Sequence, residues 1–487
     1  MNGFGYLVMI VWIPIVLYLF SRFPARRALI ISFLGAWLFL PEAKIPLSGI
    51  PDYTKMSATC YGIFIATLIF DPQRFKQIRL HWIDIPMLVW CFSPMASSLA
   101  NGLGPYDGFA ETLSQTVTWG FPYWLGRLYL GSLEGLKQLA VGIVGGGLLY
   151  VPLCLFEIRM SPQLHKWIYG FYPQSFDQAL RYGGFRPFVF MQHGLMVGMW
   201  LMTATLIAFW LWRSGTLQAT LAQRPTQSNP QKSDRVRSGK IPHQAGNAEN
   251  LALGIVLLLG VTFVLEKSTG AYFLLLLAGL LIFSIRQWKT ALLLFLIPCI
   301  ISGYLIFASV GGITPQVIQQ VSSALTRVTN EDRAASLVFR LENEARLSAK
   351  ARQQPWFGWG GWGRARVYDN YGNDISVTDS LWIIAFGNQG IVGLVSLMSA
   401  LILPVLGFVV LRCPAQTWNH PQVLPAAVLA VALMMYTIDC LINAMVNPIY
   451  TLVAGGLAGI VAYTKRPDSK PNKTPRSPTP FKFPQTR

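Results

Sequence analysis

Apolar runs close to the length of a bilayer crossing recur along the whole chain, and no other feature of the sequence limits its folds as sharply. A helix needs about 20 apolar residues to span the hydrocarbon core. Runs near that length begin around residues 4, 28, 57, 83, 112, 138, 190, 250, 268, 290, 380, 424 and 449. Lipid offers backbone groups no water, so such runs become helices that satisfy their own hydrogen bonds. The expected fold is all-α, a polytopic transmembrane helical bundle of 12–13 spans. With 53% hydrophobic and only 12% charged residues among 487, the composition points away from a soluble globular domain.

The first run, residues 4–20, has no basic n-region and no small-residue cleavage site, so it reads as a retained helix. A net charge of +18 raises the question of nucleic acid, but much of it lies in short loops and tails between spans, where the positive-inside rule accounts for it. No nucleic-acid partner is expected. The six cysteines fall within or at the ends of apolar runs without a CxxC pair, and the five histidines are scattered. Neither a disulfide frame nor a metal site is indicated, and no cofactor is expected.

Arginine and lysine in the short loops set the expected orientation: Arg22, Arg26 and Arg27; Arg74, Lys76 and Arg79; Arg127 and Lys137; Arg286 and Lys289. All fall on one side, which is cytoplasmic by this rule. Residues 1–212 form an N-terminal set of helices with an outer loop at 159–188. Residues 213–249, rich in Ser, Gln, Pro and basic side chains, read as a flexible cytoplasmic linker. Helices follow at 250–309 and 380–464, on either side of a large outer loop at 310–379 that contains short helices. The Pro-rich basic tail 465–487 is expected to be disordered and cytoplasmic. No internal repeat or pair of broken helices is evident, which weakens a transporter reading.

The stretch 336–379 departs most from the oily background. Leu337, Leu341 and Ala345 recur at helical spacing until Pro355 ends the helix, with Thr329 and Asp332 as a capping pair at its start. Residues 355–363 then hold three Trp and four Gly. That pattern fits an interfacial aromatic belt, or a loop built to approach a sugar or lipid headgroup closely, with Trp359 and Trp362 as contacts. Arg364 and Arg366 follow at once and suit lipid phosphates or substrate. Arg340 has two readings: an i,i+4 pair with Glu344 on a solvated face, alongside Glu342 with Arg346, or a guanidinium fork for a diphosphate. Asp379 before the next span suits either a helix N-cap or a functional carboxylate at the bilayer surface, and Asp439 inside a span, with Asn443 one turn later, carries the same implication. Glu266 and Lys267 are expected to pair with each other or with water. Arg181, Arg186, Gln192 and His193 gather where an outer loop enters a span and suggest a polar cavity, although His193 alone suits a packing role.

These features resemble the O-antigen ligase and O-antigen polymerase superfamily of bacterial inner-membrane glycosyltransferases. The turn Lys267 to Ala271 is similar to the family's short Ser-Arg-Gly turn. The large loop precedes the last three spans, with an Arg on a helix, then a Pro, then Gly-x-Gly, as in Arg340, Pro355, Gly358 and Gly360, and a Gly-x-x-Gly run follows at Gly387 and Gly390. Where ligases of the family place a His, commonly His-Asn, this sequence has Asp379 and Ser380, and its thirteenth span is one more than usual. The resemblance implies a GT-C-like bundle in the inner membrane that moves glycan, without metal, from a polyprenyl diphosphate carrier to an acceptor glycan or lipid-linked acceptor at the periplasmic face. Arg340, Arg186 and Asp379 would be catalytic, with Arg181, Gln192, His193, Lys267, Trp359, Trp362, Arg364 and Arg366 near substrate. Membrane lipid and other polysaccharide assembly proteins are the further partners implied. Two other readings stay open: a flippase for the same lipid-linked glycan, and a non-catalytic subunit of an assembly complex.

Overall fold

A computed structural model describes residues 1–47, 50–181, 183–222, 241–326 and 331–463. The tail 465–487, the linker residues 223–240 and the proposed capping residue Thr329 lie outside the described residues, as does the side chain of Asp332. In chain order come α1 (Gly3–Arg22), α2 (Ala25–Phe39), the hairpin β1 (Lys44–Leu47) and β2 (Ile50–Thr54), α3 (Lys55–Phe70), α4 (Ile85–Ala100), α5 (Pro105–Gln115) and α6 (Phe121–Tyr129). Then follow α7 (Leu133–Met160), α8 (Leu164–Tyr169), the hairpin β3 (Leu180–Arg181) and β4 (Gly184–Phe185), α9 (Gly194–Arg213), α10 (Thr216–Ala222), α11 (Ile241–Leu265) and α12 (Thr269–Trp288). Last are α13 (Leu292–Ser309), α14 (Pro315–Thr326), α15 (Glu331–Ala351), α16 (Leu381–Gly407), α17 (Leu424–Asp439) and α18 (Pro448–Ala462).

The architecture is all-α, as the apolar runs require. Among the described residues eight helical segments are long and apolar enough to cross a membrane, and α3, α17 and α18 are shorter apolar helices. Every run picked out in the sequence meets a helix, though the one near 112 is built differently. Pro122 has no N–H to donate, and α5 passes into α6 through a widened turn at Thr116–Gly120, a local π-type insertion that absorbs the missing bond. On α12, Phe273, Leu276, Leu280 and Phe283 are each at least 60% exposed. Their 3-4-3 spacing makes an apolar stripe that water would penalise and lipid does not.

The chain forms two compact units: one of Met1–Ala43, Ser132–Lys289 and Ala415–Ala432, the other of Lys44–Gly131, Thr290–Pro414 and Leu433–Arg487. Within the second, α6 and α18 approach so closely that a Cβ on Gly455 would sit 1.9 Å from the Tyr123 carbonyl oxygen, and one on Gly126 2.0 Å from that of Leu452. Small residues at such a crossing let backbones touch where lipid supplies no hydrophobic drive. Asp84, fully buried, accepts from Arg127 Nε at 2.9 Å, Arg127 Nη2 at 3.0 Å and Tyr123 Oη at 2.9 Å. One of the arginines counted toward orientation is therefore held in an internal bidentate pair.

Candidate active site

Helix α15 sets the geometry of the second unit's polar centre. Glu344, Leu347, Ser348 and Ala351 are buried along one face. Arg340 lies on the same stripe one turn earlier, at the helical spacing that places i and i+4 together. The solvated pair of Arg340 with Glu344 does not form. Glu344 is instead a buried acceptor for three donors: Tyr304 Oη at 2.5 Å, Ser380 Oγ at 2.7 Å and Trp382 Nε1 at 3.1 Å. Burial pushes its carboxyl above the usual range, opposed by those three hydrogen bonds and by Arg340. The second surface pair is absent too, because Arg346 donates to the Ile375 carbonyl at 2.7 Å.

Arg340 turns to Asp379, with Nε 3.8 Å from Oδ2 and both side chains about a third exposed. Its Nη1 also donates to the carbonyl of Ile442 at 3.1 Å, which holds the guanidinium from a second side. Asp379 is not the helix cap: Ser380 occupies that position on α16 and makes no side-chain capping bond, its hydroxyl being given to Glu344. One carboxylate therefore aligns Ser380, and with it Asp379, against the helix carrying Arg340. Asp439, also buried, accepts from Asn443 Nδ2 at 2.6 Å, just before the Ile442 to Asn443 backbone that Arg340 touches.

The Trp- and Gly-rich loop is bound into a break in α16. Gly390 has φ 66° and ψ −161°, which interrupts the helical ladder and frees donors and acceptors. Ile391 N donates to the Pro355 carbonyl at 2.7 Å and Val392 N to that of Trp356 at 3.3 Å, while Trp359 N donates to the Gly387 carbonyl at 2.9 Å and Gly360 N to that of Asn388 at 3.0 Å. The loop supplies the partners that the broken helix lacks. A Cβ on Gly390 would lie 2.4 Å from the Trp356 carbonyl carbon, and one on Gly358 2.5 Å from that of Asn388. Backbone contact this close is what the glycines provide.

The loop's other side chains divide sharply. Trp359 donates Nε1 to the Lys350 carbonyl at 2.9 Å and carries Lys350 Nζ 3.7 Å from its ring centre, so it fastens the loop to α15. Trp362, 74% exposed, takes a left-handed φ of 59° and points outward. Arg364 makes a bidentate pair with Asp107 at 2.8 and 3.2 Å, and Arg366 pairs with Asp374 and reaches Thr378 Oγ1 at 3.3 Å.

In the first unit, the β3–β4 hairpin leads to Arg186, and Glu157 shapes the chain beyond it. The Glu157 carboxylate accepts backbone N–H groups from Leu164 at 3.0 Å, Phe188 at 2.8 Å and Val189 at 2.7 Å, holding Val189 at the unfavourable φ of 51°. Arg186 is buried beside Glu266, Nε to Oε1 3.7 Å, and donates Nη2 to the Lys267 carbonyl at 3.3 Å. The pairing expected for Glu266 is thus corrected: its partner is Arg186, because Lys267 turns away at φ 63° and reaches the Arg181 carbonyl at 3.3 Å. Complete burial pushes the Glu266 carboxyl well up, against the pull of Arg186. His193 caps α9, its Nδ1 accepting from Leu195 N at 2.9 Å, which in the neutral ring leaves the proton on Nε2. Gln192 and the Arg181 side chain are exposed.

The structure thus brings Arg340 and Asp379 together in one unit and links Arg186, Lys267 and Arg181 by hydrogen bonds in the other, which also carries Gln192 and His193. Glu344 and Glu157 escaped the sequence reading as organisers. For Glu344 a signal existed, since positions 340, 344, 347 and 351 form one helical stripe that ends in Leu347 and Ala351. Comparison with known families then bears directly on this module. Residues 253–398 match the O-antigen ligase family. The matched segment runs from within α11 into α16 and includes the Lys267 turn, Arg340, the glycine loop, Asp379 and the Gly390 break, so the resemblance read from those motifs holds there. Among curated proteins, none matches the chain.

Proposed function

We propose that the protein is a membrane glycosyltransferase of the O-antigen ligase or polymerase type, transferring glycan from a polyprenyl diphosphate to an acceptor glycan hydroxyl at the periplasmic face of the inner membrane. The observation that carries this reading is the Arg340–Asp379 pair, 3.8 Å apart and open to solvent within the segment matching the family. A leaving diphosphate needs preorganised positive charge, and Arg340, steadied by the Ile442 carbonyl, offers a planar fork that never deprotonates. In the step itself the acceptor oxygen bonds to the anomeric carbon as the bond from that carbon to the diphosphate oxygen breaks. The diphosphate departs with the electron pair toward Arg340, and the hydroxyl proton passes to the Asp379 carboxylate, the general base. The Arg340 guanidinium meets the developing charge. Within the first unit, the ion pair of Arg186 with Glu266, at 3.7 Å, is longer than a charge-assisted hydrogen bond, and we propose that this guanidinium binds an anionic group there.

A broken helix is also a transporter device, since unwound backbone at membrane depth can coordinate ions. Here the loop 355–360 occupies the freed groups of α16, which favours a fixed enzyme site. Surface-glycan chain length, measured in cells carrying wild-type protein or Arg340→Ala together with the lipid-linked donor pool, tests the assignment. Loss of long polymer with donor accumulating on the periplasmic side is expected. Donor trapped on the cytoplasmic side would replace the transferase by a flippase.

A further inference from the structure

Where the turn 361–366 meets the first turns of α16, the second unit forms a half-open cavity of about 190 Å³ lined by Leu347, Arg366, Thr378, Ile383, Ile384 and Asn388 among others. That is below the ~300 Å³ at which sites for drug-sized ligands begin. The space is of the order of one pyranose ring. The walls are stiff because the loop is sewn into the Gly390 break on one side, and a Cβ at Gly387 would already meet the Ala365 Cβ at 2.9 Å. Leu347, Ile383 and Ile384 offer an aliphatic face suited to the C–H side of a sugar. Thr378 and Asn388 add hydroxyl and amide groups for its hydroxyls, and Asn388 makes no side-chain hydrogen bond to another described residue.

We propose that this cavity seats one neutral sugar ring, the acceptor residue whose hydroxyl is presented to Asp379. The inference rests on the transferase reading above and adds to it the place and charge class of the acceptor. The link to Asp379 is the chain itself, since Thr378, which lines the cavity, immediately precedes it. Neutrality follows from Arg366, the one charged lining side chain. Its guanidinium is already matched by Asp374, which also accepts from Ser376 N at 3.0 Å and Ser376 Oγ at 2.7 Å. A uronic acid or phosphate would find no unmatched cation there and would place its charge beside a carboxylate.

Saturation-transfer NMR on the full chain in detergent tests this with methyl glucoside, galactoside, mannoside and N-acetylglucosaminide as probes and methyl glucuronide as the charged control. At least one neutral glycoside should bind the wild type, lose at least fivefold in affinity in both Ala365→Leu and Ile384→Trp, and keep its affinity in Arg340→Ala. If the filled variants fail to fold, Asn388→Ala should still weaken binding at least threefold. Silence of every neutral probe, unchanged affinity in the filled variants or in Asn388→Ala, or equal binding of the glucuronide would overturn the proposal. The two readings separate cleanly: glycoside binding with intact polymer in Arg340→Ala cells removes the transferase and leaves the cavity, while lost polymer without glycoside binding does the reverse.

Discussion

Glu344 shows how much a single buried carboxyl decides in this site. Three donors from α13, the α16 cap and α16 itself converge on it, so truncation leaves the buried Ser380 and Trp382 donors and the half-buried Tyr304 hydroxyl without this acceptor, at about 1–3 kcal/mol for each buried group left unmade. We expect Glu344→Ala to lower stability in detergent by ~3 kcal/mol or more and to abolish transfer, whereas Glu344→Gln keeps an acceptor oxygen and loses far less. Burial holds the native carboxyl above its ordinary range, so between the two values the folded state binds a proton that the unfolded chain has released. Stability from this group is full below the ordinary carboxylate range and declines as pH rises through that window. Thermal unfolding followed by tryptophan fluorescence should show this decline in the wild type and a flatter profile in Glu344→Gln; equal slopes would remove the assignment.

At the scale of elements, the union of loop 355–360 with the α16 break is the feature on which the site's rigidity depends. Two glycines with positive φ separate strain from contact. Gly372, at φ 83°, has open space where a Cβ would stand, with no atom within 4 Å, so Gly372→Ala should cost only the left-handed strain of about 1–2 kcal/mol. Gly390 has both the strain and a backbone contact at 2.4 Å, and no flexible side chain can yield there. Gly390→Ala should therefore expel the loop, and hydrogen exchange at Trp359 N and Gly360 N should rise at least tenfold while the Gly372→Ala protein stays protected. Retained protection in Gly390→Ala would mean that the loop is held mainly by Arg364 with Asp107 and by Trp359 on Lys350.

The orientation of the whole molecule decides which face carries the 310–379 connection. Positive-inside reasoning places it opposite the short basic loops, and two exposed positions report on that directly. Tyr371 is 90% exposed and Lys76 is exposed in the loop after α3. In a Cys299→Ser background, a membrane-impermeant maleimide applied to spheroplasts should label Tyr371→Cys at least tenfold more than Lys76→Cys. The inverse ratio would turn the topology over and move the proposed chemistry to the cytoplasm.

The all-α architecture was legible because spanning length and self-satisfied backbone leave a lipid-embedded chain few alternatives; the number of spans was not, since eight helices reach spanning length among the described residues where 12–13 spans were expected. The motif residues from Lys267 to Gly390 were legible for a related reason, since Arg, Gly and Pro at fixed spacing announce charge and backbone geometry locally. What α15 does with Glu344, however, depends on Tyr304, Ser380 and Trp382, which lie 36 to 40 residues away along the chain. The partner of Glu266 likewise depends on a loop bent by Glu157 some 31 residues upstream of Phe188. Sequence spacing fixes which side chains share a helix face; which buried carboxylate meets which donor is chosen by packing, because a polar group removed from water must take whatever partner the fold brings within reach.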